Sequence, residues 1–316
     1  MTEAARAAAA DPAGRGLDSS VPVDEFGVPH GQPVLDRLVS LLDLERIEEN
    51  IFRGVSPAES PVRVFGGQVA AQALVAAGRT VPEDRQVHSL HAYFLRPGDP
   101  RIPIVYEVDP TRDGRSFTTR RVVAVQRGKP IFSLSASFQL DEPGMDHQAD
   151  MPLDVPAPES LPAFAEHRAQ VDPELAPQLF QPRPIEVRYV DDPPWVRRFS
   201  EQEQEARNQV WMRADGTLPD GKLLHVCMAA FASDLTLLDS VLVRHGVYWG
   251  LDEVSGASLD HAMWFHRPFR ADEWLLYDCA SPSASGARGL ATGRFFTRDG
   301  ALVATVVQEG LLRVSG

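Results

Sequence analysis

The stretch FGGQVAAQALVAAG, residues 65–78, decides the fold. It is rich in alanine, contains no proline and ends on glycine, as expected of a buried helix with a glycine C-cap. Strand-like segments follow at residues 88–95, 102–108, 117–126 and 131–140, separated by Pro, Gly or Asp. One helix followed by a run of strands predicts a sheet curled around that helix, because parallel βαβ units would alternate helices with strands.

The same order of elements returns in the second half of the chain. Strands are predicted at residues 185–190 and 209–213, a helix at 223–238, and strands at 258–266, 274–279, 287–297 and 301–312. The halves also contain similar sequences, HAYFLRP at residues 91–97 and HAMWFHRP at residues 261–268. A repeat of about 170 residues is too long for a solenoid, so the pattern indicates a duplicated domain.

Less regular segments flank and join the two copies. Residues 142–162, EPGMDHQADMPLDVPAPESLP, are rich in proline and acids and show no period, which is typical of a linker. Helices are predicted at residues 34–47 and 163–171, and a short strand at 50–55. The chain is therefore divided into a disordered tail at 1–34, an N-terminal domain at 35–142, a linker at 143–183 and a C-terminal domain at 184–316.

Composition excludes several classes of function. The 316 residues carry a net charge of −13 without a run of Lys or Arg, which argues against a nucleic acid partner. No stretch approaches the roughly 18 apolar residues of a membrane span, so we expect no membrane insertion. The first residues lack the apolar core of a secretory signal. Two isolated cysteines, Cys227 and Cys279, fit a reducing compartment, and we expect a cytoplasmic location.

Metal and nucleotide sites are not predicted. His88 and His91, and likewise His261 and His266, have odd spacings in predicted strands, so each pair points to opposite faces and does not clamp one ion. A structural role is favoured for these histidines. The sequence has no G-x-S-x-G nucleophile motif, no P-loop and no G-x-G-x-x-G motif. We therefore expect no metal and no cofactor.

Asp234 is the first candidate for chemistry. At helical spacing it shares a predicted face that is otherwise apolar and consists of Leu223, Cys227, Phe231 and Leu238. Burying an unpaired charge is costly, so such a carboxylate needs partners or a function. Alternatively, Asp234 caps a new helical turn that begins after Ser233. From the residues alone, both interpretations are open.

Gln308 is the second candidate. It follows the turn Asp299-Gly300 in a predicted strand whose two faces are both largely apolar. A buried amide must be hydrogen-bonded, although a glutamine emerging at the end of a strand is the simpler explanation. The matching strand of the first copy has the small residues Ser135 and Ala136. This contrast suggests that the second copy is the active one.

The chain as a whole resembles the acyl-CoA thioesterase II (TesB-type) family, whose members are double hotdog proteins of the α+β class. The resemblance extends from about residue 35 to 313. Its blocks include RVFGGQVAAQAL at 63–74, HSLHAYFLRPGDP at 88–100, ASDLTLL at 232–238, LDHAMWFHRPF at 259–269, WLLYDCASPSASGARG at 274–289 and TVVQEG at 305–310.

The resemblance implies hydrolysis of fatty acyl-CoA to free fatty acid and CoA by direct attack of water. Its catalytic residues would be Asp234 as general base, with Ser258 and Gln308 orienting the water. The family usually has Thr where this chain has Ser258. Serine keeps the hydroxyl and loses the methyl that fixes the rotamer. The family also suggests a homo-oligomer, either dimer or tetramer.

Substrate contacts are expected at three further positions. Gly66 and Gly67 lack side chains and so allow a close approach of substrate, although close packing of the helix explains them equally well. Arg288, like Arg63 and Arg115, lies in a block of the resemblance and is a candidate for binding a CoA phosphate, although a solvated surface role is the simpler explanation for each. The alternative function is a non-catalytic acyl-CoA-binding hotdog module. An enoyl-CoA hydratase is disfavoured because no Asp-x-Asn-Pro-x-His motif is present.

Overall fold

The fold is given by a computed structural model, which describes residues 20–57, 62–174, 176–200, 203–249 and 254–314. The first copy of the repeat contains helices α1 (Gln32–Leu42) and α2 (Gly66–Gly78). Its strands are β1 (Glu45–Glu48), β2 (Ile51–Gly54), β3 (Arg85–Phe94), β4 (Ile104–Asp113), β5 (Phe117–Gln126) and β6 (Lys129–Leu140). The predicted succession of one long buried helix and four strands is confirmed.

The connection between the copies has little regular structure. It contains two 3-10 turns, Pro158–Ser160 and Pro177–Phe180, with the short helix α3 (Phe164–Arg168) between them. The connection is nevertheless packed against the second copy, since the indole N–H of Trp211 donates to the carbonyl of Pro156 over 2.9 Å. The helix predicted at 163–171 is present but shorter, because α3 ends at Arg168.

The second copy repeats the arrangement. Its elements are β7 (Ile185–Tyr189), α4 (Pro194–Arg197), β8 (Arg207–Ala214), α5 (Lys222–Ser233), α6 (Asp239–His245), β9 (Val254–Ser258), β10 (Asp260–Phe265), β11 (Leu275–Ser285), β12 (Arg288–Thr297) and β13 (Leu302–Val314). The strands pair antiparallel in one 13-stranded sheet, in the order β1-β2-β4-β5-β6-β3-β10-β13-β12-β11-β8-β7, with β9 pairing to β13. Pairing of β3 with β10 joins the two copies, which makes the chain a double hotdog of the α+β class.

Helices α2 and α5 lie against each other and are covered by the sheet. Every residue of α2 from 67 to 77 is buried, which explains why this helix is apolar on all sides except at Gln68 and Gln72, whose amides are hydrogen-bonded. Glycines at its two ends allow the contact. A Cβ on Gly67 would lie 2.5 Å from the carbonyl oxygen of Phe231, and one on Gly78 would lie 2.5 Å from Leu223 Cδ2. The start of α2 thus meets the end of α5, so the helices are antiparallel.

Three further predicted elements differ from the structure in where they end. The predicted helix at 223–238 is two helices, since α5 ends at Ser233 and α6 begins at Asp239. The predicted strand at 258–266 is also two elements, because the chain passes through Leu259 from β9 to β10. The helix predicted at 34–47 ends at Leu42, where the chain turns into β1. In each case, contacts between distant segments interrupt an apolar pattern that is locally continuous.

The predicted disordered tail at 1–34 falls partly outside the described residues, which begin at Ser20. From there the prediction is wrong. Val23 and Pro29 form a β-bridge, and the N–H of Gly31 donates to the carboxylate of Asp215 over 2.6 Å. Among the described helices, none has the length and apolar character needed to cross a membrane.

Candidate active site

Asp234 lies where the two central helices meet. It is the C-cap residue of α5, with helical backbone angles (φ −84°, ψ −1°), and its partly buried side chain faces the first turn of α2. A Cβ on Gly66 would lie 2.6 Å from Asp234 Oδ2. The carboxylate therefore sits at the partly positive end of α2, which favours its charge. Asp234 does not cap the next helix, because the N-cap residue of α6 is Leu238.

Ser258 and Gln308 converge on the same carboxylate. The hydroxyl of Ser258 donates to Asp234 Oδ1 over 3.1 Å, and the amide Nε2 of Gln308 donates to the same oxygen over 2.7 Å. Ser258 is the last residue of β9 and pairs with Gly310 of β13, which places it close to Gln308. Gln308 is completely buried. The three residues predicted for catalysis are thus assembled by one helix end and two paired strands.

A cavity of about 700 Å³ opens beside this carboxylate. Asp234, Ser258 and Gly66 line it, whereas Gly67, Gln308 and Arg288 do not. Most of the wall is apolar and comes from both copies, including Leu38, Val69, Phe94, Phe132, Phe231 and Leu238. An apolar cavity with a hydrogen-bonded carboxylate in its wall suits an elongated apolar ligand with a reactive polar group.

The two adjacent glycines predicted to contact substrate have different roles. Gly67 is buried, and the carbonyl of Phe231 leaves no room there for a side chain, so helix packing explains this glycine. Gly66 faces Asp234 and the cavity. The N-cap residue of α2, Phe65, has no side-chain capping hydrogen bond. The first N–H groups of α2 are therefore donors at the cavity wall.

Arg288 is not brought to the cavity. It is exposed, and its Nε donates to Glu309 Oε1 over 2.9 Å in a surface ion pair. The arginines that line the cavity are Arg37, Arg63, Arg96 and Arg183. Two of these donate to backbone carbonyls, Arg63 to Gly256 over 2.7 Å and Arg96 to Pro130 over 2.6 Å. Both lie inside blocks that carry the family resemblance, which was the available sequence signal.

A second carboxyl in the cavity wall was missed from the sequence. Asp239, the first residue of α6, is 3% exposed, and the indole N–H of Trp249 donates to its Oδ1 over 3.3 Å. Burial raises the pKa of Asp239 to about 7. An acid within the apolar run LLDSVL was the signal for it. Among the described residues, no cluster of His, Cys, Asp and Glu is arranged to hold a metal ion.

Comparison with known proteins gives matches over both copies. A family model described as acyl-CoA thioesterase matches residues 181–311, and one described as acyl-CoA thioesterase N-terminal domain matches residues 56–139. Acyl-coenzyme A thioesterase 8 of Homo sapiens is 43% identical over 303 residues, covering 91% of this chain and 92% of that protein. Acyl-CoA thioesterase 2 of Haemophilus influenzae is 41% identical over 288 residues, covering 89% and 99%.

Solved structures agree. An acyl-CoA thioesterase II, TesB2, of Mycobacterium marinum has a TM-score of 0.73 and 46% sequence identity, covering 88% of this chain and 99% of that one. A hot dog fold protein of Alicyclobacillus acidocaldarius also has a TM-score of 0.73, at 24% identity, which supports the fold alone.

Proposed function

The chain belongs to the acyl-CoA thioesterase family and is an acyl-CoA thioesterase, and from this premise we propose how it acts on fatty acyl-CoA. Asp234 is the general base that activates a water molecule, and Ser258 holds both the base and the water in place. Gln308, which is buried and does not line the cavity, holds the base. The single observation that carries the proposal is the shared hydrogen bonding of Ser258 and Gln308 to Asp234 Oδ1 at the cavity wall.

In the proposed reaction, a water oxygen forms a bond to the thioester carbonyl carbon while its proton passes to Asp234. The tetrahedral intermediate then collapses, the C–S bond breaks, and the proton moves from Asp234 to the leaving CoA sulfur. Because Ser258 and Gln308 both donate to Oδ1, Oδ2 is the oxygen available for the proton. General base catalysis of this kind contributes on the order of 10²–10⁴-fold.

The developing oxyanion needs donors, and the first turn of α2 supplies them. We assign this role to the N–H of Gly66 and its neighbours, because Gly66 lines the cavity beside Asp234 and the turn has no side-chain cap. The helix dipole adds a partial positive charge at the same point. The base and the oxyanion donors then come from different copies, so one site forms per chain.

The acyl chain would occupy the apolar part of the cavity, and the CoA phosphates would meet Arg63 and Arg96. Among the described residues, neither arginine pairs with a carboxylate, and both line the cavity. These two replace Arg288, whose guanidinium is engaged by Glu309. Guanidinium groups bind phosphate through several donors at once.

Location and assembly remain proposals. Both cysteines are free thiols in buried positions, which is compatible with a reducing compartment such as the cytoplasm. We propose a homo-oligomer, dimer or tetramer, acting in fatty acid metabolism.

The test is release of CoA thiol from acyl-CoAs of short, medium and long chain. The substitution Asp234→Asn keeps the shape of the side chain and removes the base, so we expect kcat to fall by at least about 100-fold. Asp220→Asn, at an exposed carboxylate outside the cavity, is the matched control and should retain full activity. A non-catalytic acyl-CoA-binding module predicts background release by the wild type and by both variants.

A further inference from the structure

His261 lies beside the proposed catalytic group, although it neither lines the cavity nor is hydrogen-bonded to Asp234. It belongs to β10 and is 1% exposed. In the pairing of β10 with β13, Ala262 is opposite Val307, which places His261 opposite Gln308 on the same inward face. The imidazole and the amide are therefore side-by-side neighbours in the interior of the sheet.

Two polar atoms of this pair are left over. Gln308 directs its Nε2 at Asp234, so its Oε1 points the other way. Gln308 Oε1 and His261 Nδ1 are both buried, and among the described residues neither has an ordinary hydrogen-bond partner. The other ring nitrogen, His261 Nε2, lies 2.9 Å from the hydroxyl of Ser233. An unpaired buried polar atom destabilises the fold, because it has given up its hydrogen bonds to water.

One protonation pattern pairs both of the remaining atoms. The hydroxyl of Ser233 lies 3.0 Å from the carbonyl oxygen of Ala230 and 2.9 Å from His261 Nε2. When this hydroxyl donates to Nε2, the ring proton resides on Nδ1 and faces Gln308 Oε1. The other tautomer places a lone pair of Nδ1 against the amide oxygen and leaves both atoms unpaired. Burial lowers the pKa of His261, which keeps the ring neutral and so able to accept from Ser233.

We propose that His261 is a positioning residue for the thioesterase reaction, donating from Nδ1 to Gln308 Oε1 and thereby fixing the amide with its NH₂ group toward Asp234. The inference rests on the proposed role of Gln308. Ser233, His261, Gln308 and Asp234 then form a chain in which each group orients the next. Without the Nδ1 donor, the amide can rotate and present its oxygen to the carboxylate.

The first copy lacks this pair, which supports a functional reason for it. Ala136 lies the same distance after Gly128 as Gln308 lies after Gly300. Ala136 pairs with Leu90 of β3, and both residues are buried. The same place in the fold is thus stable with two apolar residues, so packing alone does not require a histidine and a glutamine in the second copy.

The test compares two substitutions that each keep one of the ring nitrogens. In His261→Asn the amide nitrogen takes the place of Nδ1, and in His261→Gln it takes the place of Nε2. We expect His261→Gln to lower kcat by about 10- to 100-fold, as expected for a misplaced catalytic group, with KM close to that of the wild type. His261→Asn should retain most of kcat. In a Gln308→Ala background, both substitutions should have no further effect.

Equal losses in the two variants, or effects that add to that of Gln308→Ala, would indicate a structural role and overturn the inference. His225→Gln is the matched control, since this histidine is equally buried and accepts from the N–H of Ala271, away from Asp234. Its kcat should be unchanged. Asp234→Asn is measured in parallel. If it is inactive while His261→Gln is fully active, only the role of His261 fails. If Asp234→Asn is active, the proposed function fails.

Discussion

Gly66→Ala is expected to impair catalysis although alanine is the better helix former. A Cβ at this position would lie 2.6 Å from Asp234 Oδ2 and 2.9 Å from Phe94 Cε1. Ordinary carbon–oxygen contact requires about 3.4 Å, so the carboxylate or the helix must move by somewhat under 1 Å. A misplacement of about 1 Å costs roughly 100-fold in rate, and we therefore expect kcat to fall by about 10- to 100-fold.

The effect on stability should be modest. Replacing glycine by alanine within a helix contributes about 1 kcal/mol, while the crowding costs about 1–3 kcal/mol, so the free energy of unfolding should fall by at most about 2 kcal/mol. Gly78→Ala is the control at the other end of the same helix. Its Cβ meets only the flexible end of Leu223, and kcat should be close to that of the wild type.

Steady-state thiol release gives kcat, and urea denaturation gives the free energy of unfolding. If Gly66→Ala has the wild-type kcat, the claim that the start of α2 lies in contact with the catalytic base is refuted. A loss of kcat in Gly78→Ala as large as in Gly66→Ala would contradict it equally, because helix packing in general would then explain both.

Three further outcomes are expected. Ser258→Ala should lower kcat by about 10-fold because Asp234 loses one of its two donors, whereas Ser258→Thr should keep the wild-type kcat in the same thiol assay. Burial raises the pKa of Asp239 to about 7 in the folded protein, above its value in the unfolded chain. Protonated Asp239 therefore makes its full contribution to stability below the unfolded pKa, and this contribution is lost as the pH rises through 7. Asp239→Asn should therefore raise Tm over the wild type more at about pH 8 than at about pH 4.5, and an equal gain at both pH values would contradict this. Arg96→Gln should raise KM for acyl-CoA by about 10-fold with kcat retained, whereas Arg288→Gln should leave KM unchanged.

The sequence predicted the repeat, and the three residues that meet at the candidate site, better than it predicted where the elements end. The apolar neighbours of Asp234 at helical spacing predicted that it lies on one long helix. In the structure the helix ends just before it, since Ser233 bonds to His261 and Asp234 is held by strands distant in the chain. The local spacing of apolar residues indicates which residues are buried. It does not indicate where contacts with a distant segment end a helix or strand.

The similar sequences of the two copies also concealed a difference in burial. His91 and His261 begin the matching runs HAYF and HAMW, yet His91 is exposed and His261 is buried. A shift of one residue in a strand turns every side chain to the other face of the sheet. Assigning a structural role to both histidines from spacing alone therefore missed the neighbour of Gln308. Likewise, no local feature distinguished the surface arginine Arg288 from Arg96 at the cavity.

The most direct test of direct water attack is a single turnover in H₂¹⁸O with enzyme in excess over fatty acyl-CoA. If Asp234 acts as a general base, the released fatty acid carries one ¹⁸O and the peptide containing Asp234 stays unlabelled. If Asp234 instead attacks the thioester to form an acyl-enzyme anhydride that opens at the aspartyl carbonyl, the first turnover gives unlabelled fatty acid and places ¹⁸O in Asp234. Mass spectrometry of the acid and of the digested protein distinguishes the two, and label in Asp234 would contradict the mechanism.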